Sequence, residues 1–133
     1  MTEKYKGFVF VGERQSPIAY KNGWTWERCQ DEGIPRLCAI QLFAALRQSG
    51  IDPLVQIFVN LFHFDGQLNQ PMVDLLREIS KQDYPIVAMG QKVQTQLNKQ
   101  DVKYIPLIHP AVRGRLRNQH LYTQHVISTL TPL

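Results

Sequence analysis

The stretch GFVFVGERQSP, Gly7 to Pro17, decides the fold of this chain. Its run Phe8-Val9-Phe10-Val11 is apolar at every position rather than at every second one. Successive side chains of a strand point to opposite faces, so such a run is buried on both sides, as in a parallel sheet covered by helices. Gly12 then ends the run, and a glycine there lets the backbone turn sharply. The next positions, Glu13, Arg14, Gln15 and Ser16, are all polar and stand directly beyond a buried strand.

Three further runs read the same way: Gln56 to Leu61, Pro85 to Met89 and Lys103 to Ile108. Helical segments separate them. Leu37 to Gln48 is apolar nearly all round and reads as core. Pro71 to Lys81 opens on a proline suited to a first helical turn, and Gln91 to Asn98 follows Gly90 directly. The tail from Arg115 to Leu130 sets Tyr122, Val126, Ile127 and Leu130 on one stripe. Strands alternating with helices give an α/β fold, a three-layer α/β/α sandwich around a mostly parallel four-stranded sheet. With 133 residues, the expectation is a single domain over 1–133.

Such a sheet binds ligands beyond the carboxyl ends of its strands, where the strand order reverses. The first strand delivers Glu13 to Ser16 there, the second Asn60 to His63, the third Gly90-Gln91, and the fourth His109-Pro110 followed by Arg113 and Arg115. A carboxylate, an amide, an imidazole and guanidinium groups are thereby expected at one edge.

Composition narrows the classes. The chain is 44% hydrophobic and 20% charged, ordinary values for a globular protein. It has neither a run of the length a membrane helix needs nor an apolar leader after Met1, so a cytoplasmic protein is expected, with no membrane partner. The two cysteines, Cys29 and Cys38, fit neither a zinc site nor an iron–sulfur cluster, so no metal is expected. The net charge of +4 is modest, but Arg113, Arg115 and Arg117 crowd one short segment, either a polyanion contact or a solvated helix face.

Taken in order, Gly12-Glu13, Asn60, Val87-Ala88-Met89-Gly90 and His109-Pro110 before arginines resemble the motifs of the uracil-DNA glycosylase superfamily, over roughly residues 7 to 127. The resemblance implies a fold that extrudes a damaged base from DNA and hydrolyses its N-glycosidic bond, with DNA as partner and no cofactor. It assigns Glu13 to positioning water and steadying the cationic sugar, and His109 to steadying the departing base. Asn60 would read the base edge with its donor and acceptor. A stacking aromatic is drawn from Tyr20, Trp24 and Trp26; at least one tryptophan is expected in the core, and Tyr20 and Trp24 are assigned to the base. Arg113, Arg115 and Arg117 would lie near phosphates, with Leu116 or Val112 as a wedge.

The chain also departs from the family pattern. Arg14 and Gln15 follow Glu13 where a proline is usual two residues on, and Ala111 replaces the serine after His-Pro. These departures imply a divergent, cluster-free branch. They keep open a non-catalytic member of the same fold that binds nucleic acid or a nucleotide, and an unrelated α/β domain working through protein partners. Glu13 could equally cap the turn or pair with Arg14 or Arg36, and Asn60 could serve the loop backbone.

Overall fold

A computed structural model describes residues 7–15, 17–23, 25–26, 37–110 and 118–131. Four parallel strands, β1 (Val9–Gly12), β2 (Ile57–Asn60), β3 (Ile86–Met89) and β4 (Ile105–Leu107), pair in the order β2-β1-β3-β4. The helices described are α1 (Pro17–Asn22), α2 (Leu37–Gln48), α3 (Gln70–Lys81), α4 (Gln91–Lys99) and α5 (Gln119–Leu130). This is the α/β sandwich expected from the four apolar runs. The helix α1 comes in addition, in the segment between Gly12 and Leu37 that carried no helical expectation.

The apolar runs divide by parity. Phe8, Phe10, Val87 and Met89 face a layer built from Leu42 and Phe43 of α2 and Tyr122 and Val126 of α5. Val9, Val11, Ile86 and Ala88 face Val73 and Leu76 of α3 and Val93 and Leu97 of α4. All four residues of β1 and of β3 are buried, which is why neither strand alternates. The link from β1 to β2 runs one way and that from β2 to β3 the other, with helices on opposite faces, as a uniform crossover hand requires. Strand order therefore reverses between β1 and β3.

The edge strand β4 is three residues long, shorter than its apolar run. Both ends of the run give their hydrogen bonds elsewhere. The Lys103 N–H donates to Ser80 Oγ at 3.2 Å. At the other end the Ile108 N–H donates to His125 Nε2 at 3.0 Å, while the Tyr122 hydroxyl donates to the Ile108 carbonyl at 2.7 Å. Pro106, which has no N–H, is tolerated because β4 is an edge. No helix among the described residues is long and apolar enough to cross a membrane.

Candidate functional site

Gly12 and Asn60 are register partners at the carboxyl ends of β1 and β2. A Cβ on Gly12 would lie 3.2 Å from Asn60 Oδ1, 3.7 Å from Met89 Cε and 3.8 Å from Trp26 Cζ2. Only the Asn60 contact is tighter than ordinary packing, so the glycine leaves room chiefly for the Asn60 amide. This corrects the sequence expectation of a sharp turn: Gly12 belongs to the strand and is not among the positive-φ glycines.

Trp26 is half-buried, stacked on Phe58 with ring centroids 5.0 Å apart and on Phe43 at 6.3 Å. Its indole N–H donates to Asn60 Oδ1 at 3.2 Å. An indole nitrogen can only donate, so this bond fixes which end of the Asn60 amide faces it. Trp26, not Tyr20, is the aromatic seen beside Asn60. Tyr20 is 58% exposed on α1 and stacks on Phe64, itself exposed, centroids 4.0 Å apart. Trp24, the other aromatic assigned to the base, lies outside the described residues.

Glu13 follows Gly12 and leans toward α4. Its carbonyl accepts the Phe62 N–H at 2.8 Å, extending the β1–β2 pairing past the strands. Its carboxylate oxygen Oε2 accepts from Lys92 Nζ at 3.2 Å and lies 3.9 Å from Arg14 Nε. Lys92 also rides over the Phe62 ring, 5.0 Å from its centroid. Arg14 is turned away, its Nη1 donating to the Phe64 carbonyl at 3.1 Å.

The third and fourth strands meet at Gly90 and His109. Gly90 takes φ +96°, open to glycine but strained for other residues, and a Cβ there would touch the His109 ring at 3.5 Å. Burial lowers the His109 pKa below 6.5; the nearby Glu13 charge acts in the opposite sense, more weakly. The imidazole is therefore neutral at pH 7. Its strand end is held by the Ile108 clamp from His125 and Tyr122 described above. Gln94 Nε2 completes this wall, donating to the carbonyls of Ala88 at 3.1 Å and Leu107 at 3.2 Å.

Glu13, Asn60 and His109 thus stand at one edge of the sheet, around the point where strand order reverses. Asn60 and Trp26 lie on the α2 side and Glu13 on the α4 side. Arg113, Arg115, Arg117, Val112 and Leu116 lie outside the described residues. His63 and His120 are exposed. Among the described residues no three His, Cys, Asp or Glu side chains gather as metal ligands would. A shallow cleft of about 290 Å³ lined by Asn98, Asp101 and Tyr104 opens at the opposite edge, before β4.

Sequence reasoning missed Lys92, the bond from Trp26 to Asn60, and the anchoring roles of Tyr122 and His125. A signal for Lys92 existed: it follows Gly90 by two residues, in the first turn of a helix that starts at the sheet's carboxyl edge. Chemically, the arrangement brings to one edge a carboxylate held by an ammonium, a neutral imidazole and an oriented amide. No family model matches the sequence, and no curated protein matches it.

Proposed function

We propose that this protein is a uracil-DNA glycosylase-like enzyme of base excision repair, hydrolysing the N-glycosidic bond of a flipped uracil or deaminated purine in DNA, in the cytoplasm. One observation carries the reading: at the sheet edge where strand order reverses, a carboxylate just past β1 (Glu13) and an imidazole just past β4 (His109) flank the end of β3. Such a pair suits the reaction. Water held by the carboxylate attacks the sugar C1′, forming a C–O bond as the C1′–N bond breaks and giving its proton to the carboxylate, from which it passes through solvent to the departed base anion. The sugar passes through a cation that the carboxylate steadies, and the base leaves with negative charge.

A neutral imidazole N–H stabilises that anion by hydrogen bonding without needing to give up its proton. The Asn60 amide, oriented by Trp26, offers its edge to the base. Extrusion of the base costs a few kcal/mol, which contacts in a snug pocket offset.

A second reading, a non-catalytic nucleic-acid-binding member of the same fold, draws on the Lys92 ammonium already bound to Glu13 Oε2. An assay on labelled oligonucleotides carrying uracil, hypoxanthine or xanthine separates the two. Base release that falls about 10²-fold in Glu13→Gln and in His109→Ala supports the enzyme. Salt-dependent DNA binding without release, unchanged in Glu13→Gln, supports the binder.

A further inference from the structure

Three contacts tie Glu13, Phe62 and Lys92 into a triangle. The Phe62 N–H donates to the Glu13 carbonyl at 2.8 Å, Lys92 Nζ donates to Glu13 Oε2 at 3.2 Å, and the same ammonium lies 5.0 Å from the Phe62 ring centroid. The corners come from the segments after β1 and β2 and from the first turn of α4. The pairs Arg77–Asp74 and Lys81–Glu78 join helix neighbours three residues apart, whereas Lys92 and Glu13 are 79 positions apart.

Exposed ion pairs of this kind contribute little to stability. What the contact does fix is direction. The Glu13 backbone is pinned by Phe62, and the ammonium, resting on the ring, holds one carboxylate oxygen toward α4. Among the described residues the other cation beside Glu13 is Arg14, whose Nε at 3.9 Å is beyond hydrogen-bond reach and whose Nη1 is bound to the Phe64 carbonyl.

We propose that Lys92 is a positioning residue that aims the Glu13 carboxylate for reaction. This rests on the glycosylase reading above. Lys92 touches neither sugar nor base in this role; it acts through Glu13. A small error in aim is costly to rate because the water must meet the sugar carbon within a narrow geometry.

The test is steady-state base release from a uracil oligonucleotide by the full chain and by Lys92→Ala and Lys92→Arg. The expected result is a kcat roughly 10- to 10²-fold lower in Lys92→Ala with KM within about twofold. Lys92→Arg, which keeps the charge, recovers most of the rate. The thermal midpoint of each variant stays within about 3 °C of the parent, as for loss of an exposed pair.

Three results overturn the inference alone: parental kinetics in Lys92→Ala, a loss that Lys92→Arg fails to recover, or a raised KM at parental kcat with a salt slope shallower by about one. The last would mark Lys92 as a phosphate contact. A parent protein that releases no base overturns the glycosylase reading itself, and this inference with it.

Discussion

The Trp26 indole N–H reaches across 34 residues of sequence to the side-chain oxygen of Asn60, 3.2 Å away. The bond turns a residue whose amide could face either way into one with a fixed donor and acceptor arrangement at the end of β2. Trp26→Phe keeps the ring against Phe58 and Phe43 but removes the donor. We expect a stability loss of about 1–2 kcal/mol in chemical denaturation. Uracil release should lose about tenfold in kcat/KM, because the amide is free to turn. A kcat/KM equal to that of the parent would show that Asn60 needs no orientation from Trp26.

Gly12→Ala introduces a methyl group 3.2 Å from Asn60 Oδ1. That is tighter than ordinary packing, so Asn60 must shift by a few tenths of an ångström. The expected outcome is a modest destabilisation of roughly 1 kcal/mol with a larger fall, about tenfold, in base release. The same destabilisation with base release equal to that of the parent would show that the reaction does not depend on where Asn60 sits.

His125 and His109 make folding sensitive to acid. Burial lowers both pKa values below 6.5, so the unfolded chain binds more protons than the folded one as pH falls through 6.5. Stability is therefore full above 6.5 and declines below it. Protonation also converts His125 Nε2 from acceptor to donor, ending its bond with the Ile108 N–H. Denaturation midpoints of the parent and His125→Gln, compared at pH 7.5 and pH 5.5, should show a smaller acid loss in the variant. An equal loss in both proteins would remove His125 from this account.

β1 and β3 were legible in the sequence because both are buried on both faces, which leaves a continuous apolar run; the outer strands β2 and β4 carry apolar runs too, although Ile57 and Pro106 are exposed. The strand ends were legible too: Glu13 and His109 are the first polar side chains beyond their runs, and Asn60 is the polar residue that closes β2. What lay hidden was long-range. Lys92 reads as a solvated lysine on a polar helix until α4 is seen to start beside Glu13. Trp26 and Trp24 are indistinguishable by composition, and only the fold brings Trp26 to Asn60. Tyr122 reads as a core aromatic, which it is, but its hydroxyl also anchors Ile108, and a stripe of helical positions carries no sign of that bond. Gly12 was read through conformational freedom, whereas the constraint is the side chains packed around its missing Cβ.

The most direct test of the central claim is release of uracil from labelled DNA by the parent protein beside Glu13→Gln and His109→Ala. The account predicts release by the parent and a fall of roughly 10²-fold or more in each variant. DNA binding that weakens with salt, with no base released by the parent, would contradict it.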